Sequence, residues 1–208
     1  ENFYILDDGR VRQFLILGKN EALLNSSGFK DSHVKADGQD FITISKKGLK
    51  NMQYKIRKMT EQEYPLLEDF LYESLFVPQG KPPFPRSILQ SPELQVYTAD
   101  FGSSRHDIAF VADVDGKVVG AAWVRIMNDY GHIDDETPSL AIALYKEYRG
   151  MGMGTALLQE LLSFLKTQGY SRVSLSAQKA NQAVNLYRRA GFEIYLEREE
   201  EYIMAVSL

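Results

Sequence analysis

Apolar and polar residues follow two different spacings along the chain, and the change falls near residue 53. Over residues 1–52, short apolar runs alternate with turn-forming residues, which indicates a small β-rich segment. Over residues 53–208, strand-like runs alternate with helix-like runs, an order that predicts a layered α/β fold with a mixed sheet. The sequence therefore predicts a β-rich N-terminal appendage followed by one larger domain.

The appendage has three runs that are typical of strands, namely FYIL, VRQFLILG and FITISKKG. The polar stretch DSHVKADGQD precedes the third run and is predicted to be a connection. A segment of this length has too little core to be stable alone. We therefore expect it to pack on the rest of the chain or on a partner subunit.

Helical spacing of apolar residues marks two stretches of the larger domain, TEQEYPLLEDFLYESL and the stretch that begins after Gly154. A shorter helix is predicted in NQAVNLYRRAG, and a broken one in SILQSPELQVYTADFG. The faces predicted to be buried in the two longer helices are Leu67, Phe70, Leu71 and Leu75, and Leu157, Leu161, Phe164 and Leu165.

Strands are predicted between these helices. IAFVADV and KVVGAAWVRI flank Asp115-Gly116, a dipeptide that favours a tight hairpin turn. SLAIAL and SRVSLSA are two further strands, and the terminal stretch FEIYLEREEEYIMAVSL is predicted to form a pair of strands.

Three glycines at alternate positions, Gly150, Gly152 and Gly154, follow Arg149 and precede an apolar helix. Without Cβ atoms, such a loop lets backbone N–H groups approach a ligand closely. The positive end of the helix dipole favours an anion at the same place. The loop therefore predicts a phosphate site.

Two familiar nucleotide-binding patterns do not fit this loop. A Walker loop requires a Lys before a Ser or Thr, and none stands here. A dinucleotide-binding fingerprint requires a third glycine where Thr155 stands, and an acidic residue where the next strand ends in Gln178.

The pattern Arg149-x-x-Gly152-x-Gly154, between a strand and a helix, resembles the pyrophosphate loop of the GNAT superfamily of N-acetyltransferases. NQAVNLYRRAGF, with Asn181, Tyr187, Gly191 and Phe192, is similar to the second signature of that family. The order of helices and strands matches as well, from about residue 54 to 208. The resemblance implies a mixed, centrally splayed sheet flanked by helices.

The resemblance also implies that acetyl-CoA is the acetyl donor. Its diphosphate would lie on backbone amides of the loop, and its pantetheine arm would pair with Ile142 and Leu144 in the gap between SLAIAL and SRVSLSA. Arg149 would add positive charge near the phosphates. The residues expected at the coenzyme are Ile142, Leu144, Arg149, Gly150, Met151, Gly152, Met153, Gly154, Thr155, Asn181 and Tyr187.

Catalytic residues are implied by the same resemblance. Tyr187 matches the general acid of the family, which assists departure of the thiolate. Ser139 stands where family members often have a Glu, so a direct carboxylate base is missing at that position. Glu136 and His132 in the preceding loop are the candidate bases, acting through a water chain, with Asp134 and Asp135 as alternatives.

Two functions follow from this reading. The first is transfer of acetyl from acetyl-CoA to a primary amine by direct attack in a ternary complex. The second is a non-catalytic acyl-CoA-binding sensor or interaction module, which Ser139 leaves open. The acceptor would be a small-molecule or peptide amine, in a pocket with candidate walls Phe70, Phe76, Phe84, Trp123 and Tyr130.

Composition narrows the function classes. The 208 residues carry a formal net charge of −4, and no basic stripe is evident, so we expect no nucleic-acid ligand. Cysteine is absent and the three histidines are far apart, so we expect no metal. No run is apolar enough for a membrane span or a signal peptide, and we expect a cytoplasmic protein with no membrane partner. Homodimerisation is an alternative to a monomer that the family resemblance allows.

One further similarity concerns the appendage. RVRQFLILGKNEALLNSSGF resembles the first two strands of metallo-β-lactamase-fold hydrolases. The His-x-His-x-Asp-His run that binds metal in that family is absent from the chain. The resemblance would therefore imply a remnant without a metal centre.

Overall fold

A computed structural model of the protein describes four N-terminal strands and residues 53–208. The chain divides into two compact units, Glu1–Gln53 and Tyr54–Leu208. The four strands belong to the first unit and are β1 (Asn2–Asp7), β2 (Arg10–Leu15), β3 (Ser32–Ala36) and β4 (Gln39–Thr43).

The strands of the first unit form two antiparallel pairs, β1 with β2 and β3 with β4. β1 contains the run FYIL, β2 overlaps VRQFLILG, and β4 overlaps FITISKKG. The prediction for DSHVKADGQD is wrong, because Ser32–Ala36 is a strand whose Val34 is paired with Phe41. Strand formation depends on cross-strand partners, which a polar composition does not reveal. The metallo-β-lactamase resemblance extends beyond Leu15 into residues that lie outside the described part of the chain.

The second unit contains a seven-stranded sheet and four α-helices. The helices are α1 (Leu66–Ser74), α2 (Pro92–Gln95), α3 (Met153–Thr167) and α4 (Ala183–Arg189). The strands are β5 (Lys55–Lys58), β6 (Ile108–Val114), β7 (Lys117–Arg125), β8 (Ser139–Leu144), β9 (Arg172–Gln178), β10 (Glu193–Glu197) and β11 (Glu201–Ser207).

The sheet has the order β10-β11-β9-β8-β7-β6-β5, and every neighbouring pair is antiparallel except β8 with β9. This confirms the predicted mixed sheet. The predicted hairpin between β6 and β7 is also present. Asp115 (φ 51°) and Gly116 (φ 84°) both have positive φ, as a type I′ turn requires.

The two longer helices bury their apolar sides against the sheet, as their spacing predicts. Side chains alternate between the two faces of a strand. Trp123 of β7 belongs to the core that contains Phe70 of α1, whereas Phe110 of β6 contacts Phe164 of α3, with ring centroids 5.4 Å apart. Over residues 108–112 and 120–125, odd-numbered residues therefore face α1 and even-numbered ones face α3, and the β-bulge beyond Ala112 turns Val118 toward the α1 side.

The central strands β8 and β9 separate soon after they meet. Their parallel pairing is limited to Ser139 with Ser174, supported by the Ser174 N–H donating to Pro138 O at 3.0 Å. On their other edges, β8 pairs with β7 from Ser139 to Leu144, and β9 pairs with β11 along its whole length. The predicted central splay is therefore present, and it opens toward the C-terminal ends of both strands.

A glycine of the loop before β8 packs into the closed end of this splay. A Cβ added to buried Gly131 would lie 2.6 Å from Ser139 Oγ and 2.9 Å from backbone atoms of Leu175 and Ser176. Backbone of β9 cannot yield as a flexible side chain can. Only glycine fits between the two strands at this point.

We predict that Gly131→Ala lowers the free energy of unfolding by about 1–3 kcal/mol, because the added methyl overpacks a site bounded by strand backbone. Denaturant unfolding measures this change. Asn128→Ala, at an exposed position of the same loop, is the matched control and should change stability by less than about 0.5 kcal/mol. Equal stability of the two variants would contradict the close contact.

Candidate functional site

A cleft of about 1090 Å³ opens where β8 and β9 diverge. Its walls come from the end of α1, the second half of β8, the glycine loop and the start of α4. Met151 and Met153 do not line it, and the Met153 side chain is buried in the core. Nine of the residues expected at the coenzyme line it, namely Ile142, Leu144, Arg149, Gly150, Gly152, Gly154, Thr155, Asn181 and Tyr187.

The three glycines of the loop are required for different reasons. Gly150 (φ 78°) and Gly152 (φ 89°) adopt left-handed conformations, and an added Cβ at either would meet no protein atom within 4 Å. At Gly154 an added Cβ would lie 3.3 Å from Leu144 Cδ1. The first two therefore shape the backbone beside open space, and the third lets α3 pack closely on β8.

Free backbone donors face the cleft at the start of α3. The first hydrogen bond within this helix runs from the Ala156 N–H to Gly152 O at 3.0 Å, so the amides of Gly154 and Thr155, two residues that line the cleft, have no partner within the helix. No acidic residue stands in the first turn. The 15-residue helix thus presents donors and the positive end of its dipole to an anion.

The edge of β8 that faces the gap also offers backbone groups. The Tyr145 N–H donates to Val119 O of β7 at 3.0 Å, which directs odd-numbered residues of β8 toward β7. Successive residues of a strand point their N–H groups to opposite edges. The N–H groups of Ile142 and Leu144 therefore point into the gap, where an extended ligand can pair with them.

Arg149 is held by the protein itself. Its Nε donates to Leu144 O at 2.8 Å, and one Nη donates to the backbone oxygen of Glu73 at 3.0 Å and to its carboxylate at 2.8 Å. The side chain thus joins the ends of β8 and α1 next to the loop. Its contribution of charge to a phosphate stays a prediction.

Tyr187 and Asn181 lie where the gap widens, and both line the cleft. Burial raises the pKa of Tyr187 to about 12. Within residues 53–208 no group hydrogen bonds to the Tyr187 hydroxyl, so the phenol proton is available to a ligand. The Asn181 side-chain oxygen accepts a hydrogen bond from the Ala183 N–H at 2.9 Å and caps the start of α4.

A smaller cavity of about 420 Å³ adjoins the cleft and shares Ile142, Asn181 and Tyr187 with it. Of the predicted acceptor-pocket walls, Phe76, Phe84 and Tyr130 line this cavity. The prediction is wrong for Phe70 and Trp123, which are both 0% exposed in the core between α1 and the sheet. The Trp123 indole N–H is satisfied there by Tyr97 O at 3.1 Å.

The two candidate bases lie away from both cavities. The Nδ1 atom of His132 is 3.0 Å from Met127 O, and its Nε2 is 3.9 Å from the Asp135 carboxylate. Glu136 is exposed on the loop. Neither residue lines the cleft or the smaller cavity.

Glu201 is a cavity residue that sequence reasoning missed. It lines the smaller cavity, where one carboxylate oxygen accepts from Ser176 Oγ at 2.6 Å and the other from Arg198 at 2.8 Å. The sequence shows it only as one of several acidic residues in REEE. Its location follows from the register of β11, which places Glu201 opposite Gln178 at the open end of β9.

A second missed carboxylate is Asp129, in the loop before β8. One oxygen accepts from the Tyr97 hydroxyl at 2.8 Å and from Ser139 Oγ at 2.7 Å, and the other is buried without a partner in the described residues. Burial, followed by the negative charge of Asp129, raises the pKa of Tyr97. At the position where the family often has a Glu, Ser139 thus binds a carboxylate that the loop supplies.

Across the four N-terminal strands and residues 53–208, no three metal-ligating side chains form a group suited to a metal ion. In that same part of the chain, every helix is too short or too polar to cross a lipid bilayer.

Comparison with known proteins identifies a family and individual relatives. The model of the acetyltransferase (GNAT) family matches residues 69–192. An N-alpha-acetyltransferase of Sulfurisphaera tokodaii is 35% identical over 115 residues, covering 48% of this chain and 68% of that protein. A protein of Xenopus tropicalis named "Probable N-acetyltransferase camello" is 36% identical over 85 residues, covering 40% of this chain but 37% of its own length.

Solved structures share the fold. The PaiA N-acetyltransferase of Thermoplasma acidophilum, in complex with coenzyme A, superposes with a TM-score of 0.57 at 18% identity, covering 76% of this chain and 100% of that one. The family match spans the glycine loop, both strands of the splay and α4. This chain therefore belongs to the GNAT family and contains an acyltransferase domain of that family.

Proposed function

We propose that the protein transfers the acetyl group of acetyl-CoA to a primary amine, by direct attack while both substrates are bound. One observation carries this proposal: the unpaired edge of β8 leads to the amide-rich start of α3 across a single cleft. A coenzyme with an extended arm and a diphosphate needs these two features side by side. The N-alpha-acetyltransferase of Sulfurisphaera tokodaii supports an amine as the acceptor.

The residues of the cleft fit the coenzyme. The amides of Gly154 and Thr155 would bind the diphosphate, with Gly150 and Gly152 holding the backbone in the required conformation. Ile142 and Leu144 would pair with the arm as a neighbouring strand does. The Leu144 N–H would donate to the thioester oxygen, where negative charge develops as the amine attacks.

When bound, acetyl-CoA supplies an acetyl group on a thioester, whose sulfur leaves as a group with an unperturbed pKa of about 8.5. The amine nitrogen forms a bond to the carbonyl carbon, the carbon–sulfur bond breaks, and the nitrogen loses one proton. The Tyr187 hydroxyl would donate a hydrogen bond to the departing sulfur. With a pKa near 12, full transfer of the phenol proton to this thiolate is unfavourable by about 5 kcal/mol. Tyr187 therefore acts mainly by stabilising the thiolate.

The proton of the acceptor amine needs a different group. An ammonium with a reference pKa of about 10.4 costs roughly 4–5 kcal/mol to deprotonate at neutral pH. Among the lining residues of the smaller cavity, Glu201 is the acidic one, whereas the exposed Glu136 lines neither cavity. Glu136 and His132 would require water chains that begin outside both cavities.

A non-catalytic acyl-CoA-binding module is the alternative function. The same cleft would bind the coenzyme in that case, and no thiol would be released with any amine. Homodimerisation and a cytoplasmic location stay predictions.

We predict that coenzyme A raises the melting temperature of the protein, and that Gly152→Ala weakens coenzyme binding by at least tenfold. An L-residue at φ 89° is strained by about 1–2 kcal/mol. We expect the loop of the variant to relieve this strain by changing its conformation, which would displace the amides proposed to bind the diphosphate. Calorimetric titration measures the affinity. Gly169→Ala is the matched control, because Gly169 (φ 85°) also has open space around it but lies after the other end of α3. Equal losses of coenzyme affinity in the two variants would contradict the role proposed for the glycine loop.

We predict that Tyr187→Phe lowers kcat by about 10- to 100-fold with little change in coenzyme affinity, because a hydrogen bond to a developing anion is lost. Since the pKa of Tyr187 is about 12, its hydroxyl should stay protonated between pH 7 and 10. The wild-type rate should therefore not fall in this range through ionisation of Tyr187. Thiol release as a function of pH measures both effects. Tyr195→Phe, on an exposed strand, serves as control. Unchanged turnover in Tyr187→Phe would remove its role.

A further inference from the structure

About half of the residues that line the smaller cavity are apolar. Among them are Leu71, Leu75, Ile88, Leu94 and the aromatic Phe84. A volume of about 420 Å³ is within the usual range for small-molecule sites. The cavity is therefore suited to a hydrophobic group, which would gain free energy by leaving water.

Glu201 supplies the charge that faces this cavity, and it is paired with Arg198, which is not one of the lining residues. The lining residues within 53–208 include no Lys, Arg or His, and Glu201 is the charged side chain among them. The positively charged residues Lys146, Arg149 and Arg189 line the cleft on the coenzyme side instead. A ligand anion in the smaller cavity would therefore have no cation to pair with among these walls.

The carboxylate of Glu201 is fixed at the cavity wall. Ser176 binds one of its oxygens, and Arg198 binds the other from a half-exposed position. Each oxygen has two lone pairs, so both can accept a further hydrogen bond. An ammonium group entering the cavity finds here an acceptor that needs no rearrangement.

We infer that the acceptor is a hydrophobic primary amine without a carboxylate beside the amine, with its ammonium directed to Glu201. This inference rests on the proposed function and specifies its substrate class. The same chemistry occurs in a free arylalkylamine and at the N-terminus of a peptide that begins with a large apolar residue. A free amino acid is disfavoured, because its carboxylate would lie unpaired near Glu201.

The first experiment compares amines with the wild-type protein, by thiol release from acetyl-CoA. Phenethylamine should have a kcat/KM about 10-fold above that of L-phenylalanine, since the carboxylate of L-phenylalanine would be desolvated near Glu201, whose charge Arg198 offsets only in part. The amine of phenethylamine is the more basic, so the fraction of neutral amine acts against this result. Ethylamine, which lacks the ring, should be at least about tenfold poorer than phenethylamine.

L-phenylalanine amide and a peptide amide that begins with phenylalanine distinguish the two sources. Their kcat/KM values are compared with that of phenethylamine after correction for the neutral fraction of each amine. A higher value for the peptide identifies a polypeptide N-terminus, and a higher value for phenethylamine identifies a free amine. Both results bear out the substrate class.

The second experiment tests Glu201 directly. Glu201→Gln should lower kcat/KM for phenethylamine by about tenfold or more. It should also reduce the ratio of kcat/KM for phenethylamine to kcat/KM for L-phenylalanine by a similar factor. A merely structural role would lower both rates and leave their ratio unchanged. Glu199→Gln, at an exposed position of the same turn, should alter neither rate.

Two failures are distinguishable. If the protein binds coenzyme A but releases no thiol with any amine, the proposed function is wrong. If thiol is released and L-phenylalanine is as good an acceptor as phenethylamine, or Glu201→Gln leaves their ratio unchanged, acetyl transfer stands and the inferred substrate class is overturned.

Discussion

The feature on which the site depends is the incomplete pairing of β8 with β9. Backbone N–H and C=O groups inside a sheet normally find partners on both sides. Here Ser139 and Ser174 form the parallel contact, and beyond it the facing edges part while each strand stays paired on its other side. The N–H groups of Ile142 and Leu144, which the sheet leaves without a partner, are thus available to a ligand, while the Leu144 carbonyl accepts from Arg149.

Several elements converge on this opening because of their connections. The chain leaves β8 at its open end and enters α3 through the glycine loop, so the helix amides lie next to the unpaired edge. After β9 the chain enters α4, which carries Tyr187 to the same opening. Gly131 packs between the strands at the closed end. The gap is therefore closed at the end where Gly131 packs and open at the end where α3 and α4 begin.

Local chemistry made part of this site predictable. The glycine loop and Tyr187 each belong to a short sequence pattern that can be recognised without knowledge of the fold, and both line the cleft in the structure. Glu201 and Asp129 depend on strand register and on a loop that folds back over β8, which no local pattern encodes. The sequence predicts Phe70 and Trp123 as walls of the acceptor pocket because they are aromatic. Strand alternation and the position of α1 put them in the core instead.

Asp129 and Glu201 show how the same chemical group serves different purposes in one site. An unpartnered buried carboxylate oxygen costs about 1–3 kcal/mol or more, and the two hydroxyl bonds to the other oxygen of Asp129 contribute about 1.5–3 kcal/mol each. These bonds tie the loop that carries Gly131 to β8 through Ser139 and to the cavity wall through Tyr97. Glu201 borders the cavity itself, with capacity left on both oxygens. The half-buried carboxylate of Asp129 therefore holds the splay and the wall of the smaller cavity in register, and the carboxylate of Glu201 keeps hydrogen-bonding capacity for a ligand.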